Sequence, residues 1–267
     1  MMPQAAEGLP TDVCAVVLAA GEGRRLRPLT RSRPKPLCPV ADVALLDLAV
    51  ARARSAAADV AVNVHHGRDA IEEHLAGNAG GPVGAVHLSV EDTQPLGTAG
   101  ALALLRSWID GRGVLVLNSD TWAPGDLGQA TAGWDRERVR LLVAGDGRLW
   151  PPDRPTRKVA GAYMPWSEVA GLAAEPAGLW EVSWRAQLAA GALDVVRWDG
   201  PCLDCGTPAR YLAANLAATG GASAVGAGAE VDGTVERSVV WAGAQVDRRE
   251  HLVDAVRTDD GQTVLVR

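Results

Sequence analysis

Val13-Cys-Ala-Val-Val-Leu18 runs directly into Ala-Ala-Gly21-Glu-Gly23, and residues 24–36 then carry five arginines, one lysine and three prolines. The first run is apolar with half of its residues β-branched, the pattern of a strand covered on both faces in a parallel sheet. Two glycines around Glu22 let the backbone turn sharply and bring its N–H groups against an anion without a Cβ in the way. Pro28, Pro34 and Pro36 forbid a continuous helix and fix a loop. A strand that empties into a glycine turn and then into a cationic, proline-stiffened loop is suited to holding phosphate. It is not a dinucleotide fingerprint, because the third glycine position of that pattern is occupied by Leu26.

The chain as a whole is acidic, with a net charge of −6 over 267 residues. That balance argues against nucleic acid or an anionic membrane as partner, so the basic residues near Arg25 point to a small anionic ligand. No apolar run is long enough to cross a bilayer, and the N-terminus lacks a basic region followed by an apolar one. The expected location is cytoplasmic. Only two of the 26 cationic residues are lysines, Lys35 and Lys158. In a chain that otherwise writes arginine, these are positions where a compact ammonium is needed instead of a planar fork. Four cysteines occur, and Cys202-Leu-Asp-Cys205 has a spacing known from zinc and redox sites. Zinc would want a second close pair, which Cys14 and Cys38 do not supply. Buried free thiols in a reducing compartment are expected.

Downstream, apolar spacing predicts helices over 44–57, 69–75, 97–108, 179–190 and 207–218. Strands are predicted over 59–64, 83–90, 113–118, 139–144, 158–163 and 194–197. The alternation implies an α/β fold: a mostly parallel, Rossmann-like sheet with helices on both faces. Ligands of such sheets sit at the carboxyl ends of the strands, where Gly21 and Asp120 both fall. From Gly220 small, apolar and glycine positions repeat at short period, which separates a tail over 220–267 from a main domain over 1–219.

The loop resembles the signature of the sugar-phosphate nucleotidylyltransferases: a strand, A-A-G-x-G-x-R-L-x-P-L-T, then P-K-P-L. Gly21, Gly23, Arg25, Leu26, Pro28, Leu29, Thr30, Pro34, Lys35, Pro36 and Leu37 all match, and Arg24 departs from it. The resemblance implies nucleotidylyl transfer from a nucleoside triphosphate to a sugar 1-phosphate, with Arg25 and Lys35 as the catalytic cations. A guanidinium can clamp phosphate oxygens bidentately while an ammonium acts as a point charge. Leu18, Ala20, Gly21 and Gly23 would meet the nucleotide, as would Asp120 in Asn-Ser-Asp120. Gln94, Gly97 and Thr98, in Glu91-Asp-Thr-Gln94-Pro-Leu-Gly97-Thr98-Ala-Gly100, resemble the family's base-reading loop. Asp204 stands in a D-x-G-T-P motif, and the family pairs two such carboxylates, here Asp120 and Asp204, on magnesium. The family's Glu-Lys-Pro motif for the sugar is absent. Lys158 and Gly161, in Gly161-Ala-Tyr163, are the nearest counterparts for the sugar phosphate, with Asp204.

The tail resembles the left-handed β-helix of several guanylyltransferases, and a homo-oligomer formed through it is one expectation. Together these features look most like mannose-1-phosphate guanylyltransferases. Uridylyltransferases for N-acetylmuramate 1-phosphate and cytidylyltransferases for phosphocholine or phosphonates share the core. A catalytically silent, nucleotide-sugar-binding subunit is the alternative of another class.

Overall fold

The computed structural model describes residues 9–81, 84–145 and 159–266. Its main sheet has seven strands: β1 (Val13–Leu18), β2 (Val60–Val64), β3 (His87–Val90), β4 (Gly113–Asn118), β5 (Arg140–Ala144), β6 (Val159–Met164) and β7 (Asp194–Trp198). Their spatial order is β7-β5-β6-β4-β1-β2-β3. β1 pairs in parallel with both β2 and β4, β2 with β3, and β5 with β7; only β6 runs antiparallel to its neighbours β4 and β5. The sheet is thus mostly parallel. Val13 to Val17 are all buried, as an apolar strand covered on both faces should be. Leu18 lies opposite Asn118, so β1 and β4 deliver the chain to the same edge of the sheet.

The chain divides into two compact units. The first takes the chain up to Gly21, Leu48–Ser119 and Ala123–Cys202; the second takes Glu22–Asp47, Asp120–Trp122 and Leu203 onward. In the first unit, Leu102, Ile109, Val16, Val114, Val116, Leu141 and Met164 share one buried core. Helix α1 (Leu45–Arg54) buries Leu45, Leu46, Ala49, Val50 and Ala53, a stripe at helical spacing. Helix α2 covers Arg68–Asn78 and α3 covers Gly97–Leu104. The helix expected over 97–108 is broken because Leu105 sits at φ −81°, ψ 1°, outside the helical well, and a short piece resumes at Arg106–Ile109. The helix expected over 179–190 opens with a π-turn at Trp180–Trp184 before Arg185–Ala189 turns regular.

The second unit holds two small antiparallel pairings that apolar periodicity does not announce. Pro39–Val40 pairs with Val43–Ala44, and Thr121–Trp122 pairs with Leu203–Asp204. Helix α4 (Pro208–Ala218) starts at Thr207, whose hydroxyl accepts from the Arg210 N–H at 3.4 Å, with Pro208 in the first turn.

Beyond it the tail coils through short parallel ladders. Ala224–Val225 pairs with Val239–Val240, which pairs with Ala255–Arg257; Glu230–Val231 pairs with Gln245–Val246, and Thr234–Glu236 with His251–Val253. Val240, Ala244, Val246, Leu252 and Ala255 fill its interior. The coil also docks on the rest of its unit. The buried Trp241 donates to the Tyr211 hydroxyl at 3.0 Å, and the Arg33 guanidinium lies 4.5 Å over its ring. Arg33 also pairs with Asp259 at 2.7 Å, and the Ala227 N–H donates to Asp42 Oδ2 at 2.9 Å.

Candidate active site

In the second unit the cationic loop and two distant acidic positions converge. The loop folds back at Gly23, which has φ +70°; a Cβ there would stand 2.9 Å from Lys35 Cβ and 3.1 Å from Thr30 Cγ2. Only glycine satisfies both the left-handed backbone and that close approach. Thr30 reinforces the turn by donating to the Gly23 carbonyl at 3.0 Å. Lys35 is thereby carried inward to 8 % exposure, where its ammonium donates to Asp120 Oδ2 and lies 4.0 Å from Asp204 Oδ1. The pairing of Thr121 with Asp204 brings the two carboxylates together across 84 positions of sequence, and the Cys205 N–H locks it by donating to the Asp120 carbonyl at 2.8 Å.

Asp204 Oδ2 accepts from Arg210 at 2.8 Å, while its Oδ1 is buried and has no hydrogen-bond partner. A Cβ at Gly206 would sit 2.6 Å from Asp204 Oδ1 and 3.0 Å from Arg25 Nη2, so this glycine keeps open the notch between carboxylate and guanidinium. Arg25 itself is exposed. The donor set is two carboxylates, and the described residues hold no cluster of three or more His, Cys, Asp or Glu fit for a metal. An orphaned carboxylate oxygen and a second carboxylate suit magnesium, a hard cation content with one or two carboxylates plus phosphates and water. They do not suit zinc, which wants four protein ligands in a structural site. Burial pushes the Cys205 thiol up to about 12, and the Cys14 and Cys38 thiols likewise; all four cysteines are buried and none is in a disulfide. None of the three is a thiolate nucleophile at neutral pH.

In the first unit the turn after β1 and the loop before α3 carry the remaining candidates. The Leu18 carbonyl accepts from the Ser119 N–H at 3.0 Å and the Ala20 carbonyl from the His66 N–H at 3.4 Å. A Cβ at Gly21 would meet nothing within 4 Å, so the space beside that turn is open. Gln94 is exposed. Gly97 has φ +68°, and a Cβ there would come 2.5 Å from the Ala177 carbonyl oxygen. The Thr98 hydroxyl accepts from the Leu179 N–H at 2.7 Å, which gives it a structural partner. Gly161 is buried in β6, where a Cβ would come 3.0 Å from Leu117 Cδ2, a tight contact that the leucine would have to yield to. Lys158 lies outside the described residues.

Asn63 escaped the sequence reading, and Glu91 entered it only as the first residue of the base-reading loop, with no role of its own. Glu91, 2 % exposed, accepts from Asn63 Nδ2 at 2.6 Å and from the Leu96 N–H at 2.7 Å. Asn63, also 2 % exposed, accepts from the Ala19 N–H at 2.8 Å. The signal available was a polar residue inside each of two otherwise apolar contexts: Asn in Val-Ala-Val-Asn-Val64, and Glu directly after β3.

Residues 14–144 match the model of the nucleotidyl transferase family. Over 140 residues, 48% of this chain and 56% of the relative, the sequence is 43% identical to N-acetylmuramate alpha-1-phosphate uridylyltransferase of Caulobacter vibrioides. Over 156 residues, 56% of this chain and 43% of the relative, it is 32% identical to mannose-1-phosphate guanylyltransferase of Mycobacterium tuberculosis. The chain thus spans about half the length of these curated relatives. A UDP-glucose pyrophosphorylase solved with UDP-glucose superposes with a TM-score of 0.63 at 16% identity, covering 79% of this chain and 99% of that one, and shares its fold.

Proposed function

Since residues 14–144 match the nucleotidyl transferase family and about half of the chain is 43% and 32% identical to two sugar-phosphate nucleotidylyltransferases, we propose that it transfers a nucleotidyl group from a nucleoside triphosphate to a sugar 1-phosphate. An oxygen of the sugar phosphate attacks the α-phosphorus in line and forms the new P–O bond. The bond from the α-phosphorus to the bridging oxygen breaks, and pyrophosphate leaves with the electron pair. No covalent intermediate on the protein is needed, so the work is positioning and charge stabilisation. The observation that carries the reading is the convergence of Lys35, Asp120, Asp204 and the Arg25 guanidinium in one unit.

In this reading Arg25 clamps the departing phosphates bidentately, and Lys35 sets a compact charge beside the reacting phosphorus. The turn at Leu18, Ala20, Gly21 and Gly23 offers backbone to the nucleotide, and Gln94 and Gly97 take the base. Thr98, its hydroxyl occupied, would contribute through its backbone. Asp120 and Asp204 would hold Mg2+, which when bound neutralises charge between the α-phosphate and the acceptor phosphate. Lys158, Gly161 and Asp204 are assigned to the sugar phosphate.

The motif set and the tail support guanosine triphosphate with mannose 1-phosphate. The short parallel ladders and their small-residue spacing support reading 220–267 as a left-handed β-helix appended to a catalytic domain over 1–219, and as the surface through which copies would associate. A second reading, uridine triphosphate with N-acetylmuramate 1-phosphate, is favoured by the 43% identity, against 32% for the guanylyltransferase. Both place the enzyme in the cytoplasm. Pyrophosphate release from four triphosphates crossed with a panel of sugar 1-phosphates tests the proposal. Release with one base and one sugar is expected; nucleotide binding with no release from any pair would favour the silent binding subunit.

A further inference from the structure

The first unit contains a buried polar relay that nothing in the phosphate chemistry requires. It runs from the Ala19 N–H to Asn63 Oδ1 (2.8 Å), from Asn63 Nδ2 to Glu91 Oε1 (2.6 Å), and from Glu91 Oε2 to the Leu96 N–H (2.7 Å). Its two ends are backbone amides of the two segments assigned to the nucleotide, the 18–21 turn and the 94–97 loop. Its two side chains are each 2 % exposed. His65 closes the relay from β2's end by pairing its Nδ1 with the Glu91 carbonyl oxygen at 2.5 Å.

A carboxylate so buried is costly unless its oxygens are satisfied, and here each oxygen has one donor of fixed geometry. Asn63 is the one link in the relay that must both accept and donate, which an amide does and a carboxylate or hydrocarbon does not. The strand pairing alone holds β1 against β2 through Leu18 and Asn63. The loop beyond β3 is held at its ends by the Glu91 N–H on the Val64 carbonyl at 2.9 Å and by the Leu96 carbonyl on the Ala177 N–H at 3.0 Å; the relay adds its link to the 18–21 turn.

Resting on the nucleotidylyl-transfer reading, we propose that Asn63 and Glu91 are positioning residues for base selection. They fix the distance between the 18–21 turn and the 94–97 loop, and so set which base can lie between Gln94 and the turn while its phosphates are held elsewhere. Neither touches substrate. Loss of the relay lets the 94–97 loop drift, so a preferred base loses its advantage over the others more than the reaction loses speed. A role in folding alone would lower stability and leave the ranking of bases untouched.

The test is binding of the four ribonucleoside triphosphates to the full chain by calorimetry, with melting temperature and pyrophosphate release measured alongside. The variants are Asn63→Ala, Asn63→Asp and Glu91→Gln. Asn63→Ala and Asn63→Asp are expected to compress discrimination between the best and next triphosphate by about tenfold, with KM for the sugar phosphate unchanged. Glu91→Gln, which keeps one acceptor oxygen, should fall between them and the wild type. If Asn63→Ala does not fold, the Glu91→Gln ranking decides alone. An unchanged ranking in the folded variants overturns the inference. Wild-type protein that ranks triphosphates but releases no pyrophosphate defeats the transfer reading and leaves the binding ranking to judge the relay. Wild-type protein that binds none of the four defeats both.

Discussion

The two units satisfy buried charge in opposite ways. Around Asp204, partly exposed carboxylates meet opposed ions: the buried Lys35 on Asp120, and Arg210 on Asp204 at 2.8 Å with the arginine side chain 52% exposed. One carboxylate oxygen is still left without a hydrogen-bond partner. Around Glu91, no ion pair is needed, because an amide side chain and a backbone N–H satisfy both carboxylate oxygens. In the proposed reading the first arrangement would exchange its internal cations for a metal and its carboxylates for phosphates, as chemistry with changing charge requires. The second has nothing to exchange and can only hold geometry, which is what discrimination between similar ligands requires. The two proposals together thus give rate and choice to different residues.

The sharpest way to break that division is at the carboxylates. Asp120→Asn and Asp204→Asn should each lower kcat by about 10²–10³-fold or more at saturating magnesium with the circular dichroism spectrum unchanged. Near-wild-type rates in either would remove the two-carboxylate metal site. Next come the cations. Lys35→Arg should fail nearly as badly as Lys35→Ala, because the lysine is buried with its stem packed close to Gly23 and a guanidinium is broader than an ammonium. Arg25→Lys should lower kcat more than it weakens triphosphate binding, as loss of a bidentate grip on the leaving group predicts. Retained activity in Lys35→Arg would leave only positive charge as the requirement.

A smaller effect belongs to Gln94→Ala, which should cost on the order of 1–3 kcal/mol of discrimination between bases and little in rate. An unchanged ranking of the four triphosphates would move base reading elsewhere. The smallest effect is expected of the thiols. Burial raises Cys14, Cys38 and Cys205 to about 12, so at pH 8 they remain protonated, and thiolate appears only as pH climbs toward that value. Iodoacetamide at pH 8 should leave the folded protein's activity unchanged, and rapid loss would point to an exposed, functional cysteine.

The chemistry was more legible in the sequence than the selection. Arg25, Lys35, Asp120 and Asp204 were legible through their match to the family's motifs, whereas Asp120 taken alone at a strand end could equally well cap a turn. The α/β alternation was legible because apolar runs such as Val13–Leu18 and Gly113–Asn118 have few other fates. What joins Asp120 to Asp204 was not, since a two-residue antiparallel pairing has no periodicity to detect. Asn63 and the role of Glu91 were hidden because a buried polar residue earns its place only through partners far away in sequence. Gly161 and Thr98 show the converse, for the signature suggested ligand contacts where the structure also supplies packing and a Leu179 N–H.

The most direct test of the division is one panel run on two variants. Binding and pyrophosphate release would be measured for Asp204→Asn and Asn63→Ala with all four triphosphates, magnesium and the best sugar 1-phosphate. The account predicts that Asp204→Asn abolishes release with every triphosphate while keeping the wild-type ranking of binding. Asn63→Ala should keep release within about tenfold of wild type while flattening that ranking. A reversed outcome, with ranking lost in Asp204→Asn or rate lost and ranking kept in Asn63→Ala, would contradict it.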